Sequence, residues 1–230
     1  MRSVGTLALF LCVSSISACG TMPAVHMKFV DQETSQPVAG AHVLFIGTAY
    51  EGTFSGHGGR RVNLFLLETI TNDAGEINVA AQEFLLYPFL LNTHYNAPRM
   101  AVFKPGYALP ELWGYLPSIA RRQDVTNWYY NNRTIKMQRA DTDKDISHSV
   151  RWAATFAEEA YRDGGDICAW KEIPRFLVAV DRSVNEWNRK RQTPEQSPLR
   201  SLLSNDKYYA DKGCGSTRDF FDSYLSGAAR

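Results

Sequence analysis

A serine, a histidine and two arginines share one glycine-rich stretch, Ser55-Gly56-His57-Gly58-Gly59-Arg60-Arg61. Successive glycines of this kind can turn several backbone N–H groups toward one anion, with the arginines adding charge. No phosphate-loop lysine accompanies them, so a nucleotide loop is excluded. His57, Arg60 and Arg61 are thus a candidate ligand loop, with an exposed hairpin as the alternative. Gly52-Thr53-Phe54-Ser55-Gly56 lies one residue off the spacing of a nucleophile elbow. Ser204-Asn205-Asp206-Lys207 has a Ser-x-x-Lys spacing that can pair a nucleophile with its base, but the further motifs such chemistry needs are missing, and Ser204 reads as a helix-end or turn residue. The five histidines, His26, His42, His57, His94 and His148, stand apart, with no His-Glu-x-x-His among them. No catalytic set, metal site or cofactor is expected. Aromatic rings are the remaining resource. Trp113, Tyr115 and Trp128 lie on segments interrupted by Pro110 and Pro117. There they either stack on sugars and seat a partner, or cover the ends of a sheet and pack helices.

The four cysteines divide by position. Arg2 gives a positive start, Leu7 to Val13 an apolar run, and small residues lead into Cys19, which is the pattern of a secretion leader over residues 1–18. Ile16-Ser17-Ala18-Cys19 resembles the lipobox of bacterial lipoproteins. That resemblance implies that Cys19 is acylated and becomes the first mature residue, with 19–24 as a short tether and membrane lipid as its partner. An ordinary signal cut near Ala18 would instead leave Cys19 as a thiol, and an uncleaved anchor would need an apolar run of about 20 residues. Gly20, where an aspartate would signal retention, resembles the pattern sent to the outer membrane in a host with two membranes, facing the periplasm. Cys12 leaves with the leader, so Cys168 and Cys214 form an isolated pair in an oxidising compartment, and a disulfide between them is expected.

Charge excludes other partners. The 230 residues carry 25 Lys plus Arg against 24 Asp plus Glu, and losing Arg2 with the leader brings the balance to zero, which argues against nucleic acid. The longest later apolar run, Phe84 to Leu91, contains Pro88 and is too short to span a bilayer.

The elements that must position these residues change character along the chain. Val25, Met27 and Phe29 alternate with His26, Lys28 and Val30, the period of a half-buried strand. Further strands are expected over Ala41 to Ile46, Val62 to Thr71, Glu76 to Val79, Phe84 to Leu91, Met100 to Lys104 and Arg133 to Gln138, with turn residues between them. About seven short strands over 25–140 suit a β-sandwich. Beyond Asp141 the period becomes helical. Val150, Ala153, Ala157 and Tyr161 mark one helix, and Phe176, Leu177, Val180, Val184 and Trp187 a second from Pro174 to about Arg191. A third follows a Ser197 cap. A fourth starts at Ser216, with Asp219 as its capping-box partner, and is expected to bury Phe220, Phe221, Tyr224 and Leu225. The expected class is α+β, with a helical region over 141–230.

Three phrases occur in order: Gln36-Pro37-Val38-Ala39-Gly40-Ala41-His42-Val43, Thr71-Asn72-Asp73-Ala74-Gly75-Glu76-Ile77 and Val102-Phe103-Lys104-Pro105-Gly106-Tyr107. Together they resemble the carboxypeptidase regulatory-like domain, a transthyretin-like (prealbumin-like) β-sandwich. In the second phrase Asp73 and Gly75 suit a tight turn, and in the third Tyr107 is placed to pack back on the sheets. The family's modules have no catalytic residues of their own to carry over. The resemblance leaves the helical region unmatched, and 50–61 and 84–98 are longer than a minimal domain needs. The expected function is therefore a membrane-anchored envelope lipoprotein acting as a non-catalytic binding or structural module, holding an envelope protein or glycan. Alternatives are an envelope hydrolase or carbohydrate-binding accessory, and an assembly partner of a larger surface or secretion complex.

Overall fold

The structure is a computed structural model and describes residues 18–22, 24–51, 60–86, 94–95, 99–108, 131–162, 165–191 and 196–227. Among these, nine strands precede the helices: β1 (Ala18–Met22), β2 (Val25–Asp31), β3 (His42–Glu51), β4 (Arg60–Ile70), β5 (Glu76–Val79), β6 (Gln82–Leu86), β7 (His94–Tyr95), β8 (Arg99–Phe103) and β9 (Arg133–Met137). Then come α1 (Asp143–Arg162), a 3-10 turn (Ala169–Glu172), α2 (Pro174–Arg191), α3 (Pro198–Ser204), α4 (Asp206–Asp211) and α5 (Thr217–Leu225). The chain is a mixed α+β protein.

Strand β2 lies between an antiparallel β5 and a parallel β9. Its alternation sends Val25, Met27 and Phe29 inward and leaves His26 exposed. A second sheet is built on β3, which pairs antiparallel with β4 on one side and with β8 and the short β7 on the other. Both faces of β3 are covered, which is why Val43-Leu44-Phe45-Ile46 is an unbroken apolar run. Val43 and Phe45 join Met27, Phe29, Ile77, Val102 and Met137 in a core between the two sheets. Leu44 and Ile46 join Ala101 and Phe103 in a second core, with α1 and α2. The order through the protein is small sheet, larger sheet, helices. A third pairing, β1 with β6, makes a separate two-stranded ribbon.

The three phrases of the resemblance meet through hydrogen bonds. The buried Thr71 hydroxyl donates to the Val38 carbonyl at 2.7 Å and accepts from the Ala41 N–H at 2.8 Å. In the turn that follows, Asn72 rather than Asp73 supplies the side chain, its Oδ1 accepting from the N–H groups of Ala74 and Glu76. Gly75 has φ +72°, and a Cβ there would lie 2.4 Å from the Phe29 carbonyl oxygen, so only glycine fits. Tyr107 does pack back. Its hydroxyl donates to Asp31 Oδ2 at 3.1 Å, beside Arg139 Nε at 2.8 Å, while Oδ1 accepts from the N–H groups of Glu33 and Thr34. Asp31 is 2% exposed. The Thr34 N–H and the Arg139 guanidinium hold its carboxyl well below the usual carboxylate range.

In the helical layer α1 buries Val150, Ala153, Phe156, Ala157, Ala160 and Tyr161, and α2 buries Phe176, Leu177, Val180, Val184 and Trp187. Ser197 and Ser216 cap α3 and α5, accepting from the N–H groups of Arg200 and Asp219. Cys168 and Cys214 are disulfide-bonded, with Cα atoms 5.3 Å apart. The bond ties the turn before α2 to the turn before α5. Next to it Trp170 is fully buried, in ring contact with Tyr209, Phe220 and Phe221.

Two expectations need correction. Of the four residues expected to be buried in α5, Phe221 is, Phe220 and Tyr224 are partly buried, and Leu225 is 43% exposed: it lies on the same side as Phe221 but is the last residue of the helix, one turn further on. The strand expected from Phe84 begins two residues earlier, as β6 from Gln82, and residues 87–91 of that expectation lie outside the described residues.

Candidate functional site

The arginine-bearing hairpin is where charge converges. Arg60 and Arg61 belong to β4, where their backbones pair with Glu51 and Tyr50 of β3. From the same sheet comes Arg99 of β8, and from α1 above comes Glu159. Arg99 Nη1 donates to Glu159 Oε2 at 2.8 Å, and Arg61 Nη1 lies 4.0 Å from the same oxygen. The Arg99 guanidinium also sits 5.1 Å from the centre of the Phe156 ring, which in turn stacks on Trp152. Asn63 Nδ2 donates to the Ala160 carbonyl at 2.6 Å. Two arginines and one carboxylate thus fasten α1 to the sheet. The Nε and Nη2 atoms of Arg99, the edge that matches a carboxylate or phosphate side-on, are buried and have no acceptor among the described residues. Glu159→Gln leaves the two guanidinium groups without their shared anion. Urea unfolding is expected to show a loss of about 1–2 kcal/mol, shrinking as salt is raised, whereas a change within error would show that the cluster contributes nothing.

His57 lies outside the described residues, as do Trp113, Tyr115 and Trp128, and of Arg60 only the backbone is described. Cys19 is the second residue of β1, opposite Leu85. Ser204 and Lys207 are not partners: the Ser204 hydroxyl donates to the Ser201 carbonyl, and the Lys207 ammonium is held by Asp211. The Ser-x-x-Lys spacing is a helix end followed by a surface ion pair. Among the described residues no cluster of His, Cys, Asp and Glu could hold a metal ion, and no helix is long and apolar enough to cross a membrane.

A cleft of about 200 Å³ opens between α1, α2 and the start of α3. Val150, Ala154, Val184 and Trp187 give it an apolar side, Arg151 and Glu158 a polar one, and the Arg191 guanidinium lies 5.5 Å from the Trp187 ring. Ligand pockets usually measure about 300–1,000 Å³. This one suits a single amphipathic group, such as one side chain or one sugar.

Two partly buried ionisable groups lie where the larger sheet meets α2. Helix α2 opens at Pro174, and Glu68 of β4 caps it from a distance, accepting from the N–H groups of Arg175 at 3.1 Å and Phe176 at 2.8 Å. Burial raises the Glu68 carboxyl above its ordinary value despite those donors. His42 of β3 is lowered to about 4, first by burial and then by the positive charges of Lys104, Arg175 and Arg182. It is therefore a neutral imidazole at ordinary pH. Glu68, Arg99 and Glu159 were not legible as a set, because each finds its partner through the fold rather than through spacing.

No protein-family model matches the chain, and no curated protein or solved structure compared with it is similar to it.

Proposed function

We propose that the protein is a lipid-anchored envelope protein, acylated at Cys19, whose two sheets form a transthyretin-like sandwich of the carboxypeptidase regulatory-like kind. It acts as a non-catalytic binding or structural module, on the outer membrane and facing the periplasm where the host has two membranes. The observation that carries this reading is the leader ending in Ile16-Ser17-Ala18-Cys19. Further support comes from the joining of the three family phrases through the Thr71 hydrogen bonds to Val38 and Ala41 and through the pairing of His42 and Val43 with Phe103 and Val102. The role of a module without chemistry of its own is supported by how the polar groups are used. Asp31 holds a turn, Glu68 caps α2, Asp206 accepts from Ser216 and Thr217 at the start of α5, and Glu159 neutralises two arginines. A partner that inserts one amphipathic group, from an envelope protein or a glycan, fits the cleft beside Trp187. Metabolic labelling with a fatty-acid probe tests the anchor. Label is expected on the wild type and lost in Cys19→Ser; an unlabelled wild type, or label persisting in the variant, refutes acylation at this cysteine.

A further inference from the structure

We propose that the outer edge of β4 is a strand-addition site, which takes an extended apolar stretch of another envelope protein; this rests on the reading of the protein as an anchored binding module. Strand β4 is 11 residues long and lies at the end of its sheet, paired with β3 on one side and, among the described residues, with no strand on the other. Its register with β3 slips at Leu64 and then runs unbroken from Phe65 to Ile70. The Thr71 N–H that follows bonds to the Ala41 carbonyl, toward β3. Backbone groups of an antiparallel strand alternate in direction, so those of Thr69 and Leu67 also face β3, whereas those of Leu66, Glu68 and Ile70 face away from it. That row of N–H and C=O groups fits one kind of occupant, an extended backbone.

The side chains along the edge define what that backbone carries. Leu66 lies against the core beneath the helices, and Phe65 and Leu67 against the core between the sheets, yet all three stay partly exposed. Both cores thus stop short at β4. A strand apolar on both faces, like Val43 to Ile46 of β3, would complete them. The edges of the smaller sheet are guarded instead. Strand β9 carries exposed Arg133 and Lys136, and β5 is 4 residues long with Asn78 exposed. Charge and shortness are the usual means of keeping an edge from pairing. Between Arg61 and Glu68, β4 has neither charge nor proline, and the Glu68 carboxylate is turned onto the first turn of α2.

The probe is a short peptide alternating valine and isoleucine, ended by lysines for solubility and N-methylated at every second residue, so that one of its edges keeps all its N–H groups. A control peptide of the same composition carries its methyl groups on consecutive residues, which interrupts both edges. Fluorescence anisotropy with the full chain in detergent is expected to show the probe binding and the control weaker by roughly tenfold or more, since about two backbone hydrogen bonds are lost. Leu66→Pro removes an outward N–H without touching the bonds to β3, and is expected to weaken the probe by a similar factor. Formation of the Cys168–Cys214 disulfide reports that this variant has folded, and where it has not, the two peptides on the wild type decide alone. Equal affinity for the two peptides, no binding of either, or an unchanged affinity in folded Leu66→Pro overturns the inference. So does a wild-type dimer that Leu66→Pro turns into a monomer, because the edge then belongs to a second copy. Fatty-acid labelling of the wild type runs in parallel. Label without peptide binding removes the strand site and leaves the anchor standing; peptide binding without label keeps the site and removes the anchor.

Discussion

Replacing Cys168 and Cys214 together by serine is expected to destabilise the protein by about 4 kcal/mol, the loop-closure term for a cross-link spanning 46 residues of sequence. The loss should not spread evenly. The disulfide ties the turn before α2 to the turn before α5, and Trp170, beside Cys168, packs on rings from α4 and α5. Those two helices are short. Helix α4 has no buried residue and α5 has only Thr217 and Phe221, so the staple, the ring cluster and the Asp206 hydrogen bonds to Ser216 and Thr217 are what hold them. Urea unfolding followed by intrinsic fluorescence measures the total. Amide exchange locates it, with protection lost first in α4, α5 and the 3-10 turn and last in β2 and β3. A double-serine variant within about 1 kcal/mol of the wild type would show that the helical layer is held by packing alone.

The second large effect is a loss of stability in mild acid, centred on His42. An imidazole ordinarily titrates near 6.5, whereas His42 in the fold titrates at about 4. Between these values the unfolded chain takes up a proton that the folded chain refuses, so stability falls as pH drops through that window. The full difference corresponds to roughly 3 kcal/mol as an upper figure. Glu68 acts in the opposite sense. Its folded value is raised, so between the ordinary carboxyl value and the raised one the folded chain holds a proton that the unfolded chain has released. Its contribution therefore declines as pH rises through that interval and offsets part of the His42 loss on acidification. Asp31, whose carboxyl is lowered, adds to the loss at still lower pH as its unfolded form takes up a proton first. Urea midpoints taken between about pH 7 and about pH 4.5 should fall for the wild type and stay nearly level for His42→Gln. Equal slopes for the two proteins would show that His42 is solvated and that its surroundings do not disfavour its charge.

Local patterns account for what the sequence made legible. The alternation of Val25, Met27 and Phe29 marks β2 because one face of that strand is buried, and the helical spacing of Phe176, Val180, Val184 and Trp187 marks α2 for the same reason. The caps at Ser197 and Ser216 act over three residues and are written in the chain as Ser-x-x. Helix α4 escaped notice because Asp206-Lys207-Tyr208-Tyr209-Ala210-Asp211 buries nothing fully and so shows no period. Strand β1 was hidden inside a segment that reads as leader and tether. Glu68 looked like an ordinary polar residue of a strand, since the helix end it caps lies 107 residues on, and Arg99 and Glu159 meet across 60. The arginine pair at Arg60 and Arg61 drew attention for its loop, yet Arg61 is engaged from β4 with α1.

The parallel pairing of β2 with β9 imposes a schedule on biogenesis. Met27 to Asp31 bond to Arg133 to Met137, so one edge of β2 waits for roughly a hundred further residues to be made before its partner exists. At ordinary elongation rates that interval is about 5–20 s. Throughout it an apolar strand offers unpaired N–H and C=O groups to any neighbouring chain. A chain cut before Arg133 keeps that edge of β2 open, the feature by which a fragment pairs with its neighbours instead of with itself.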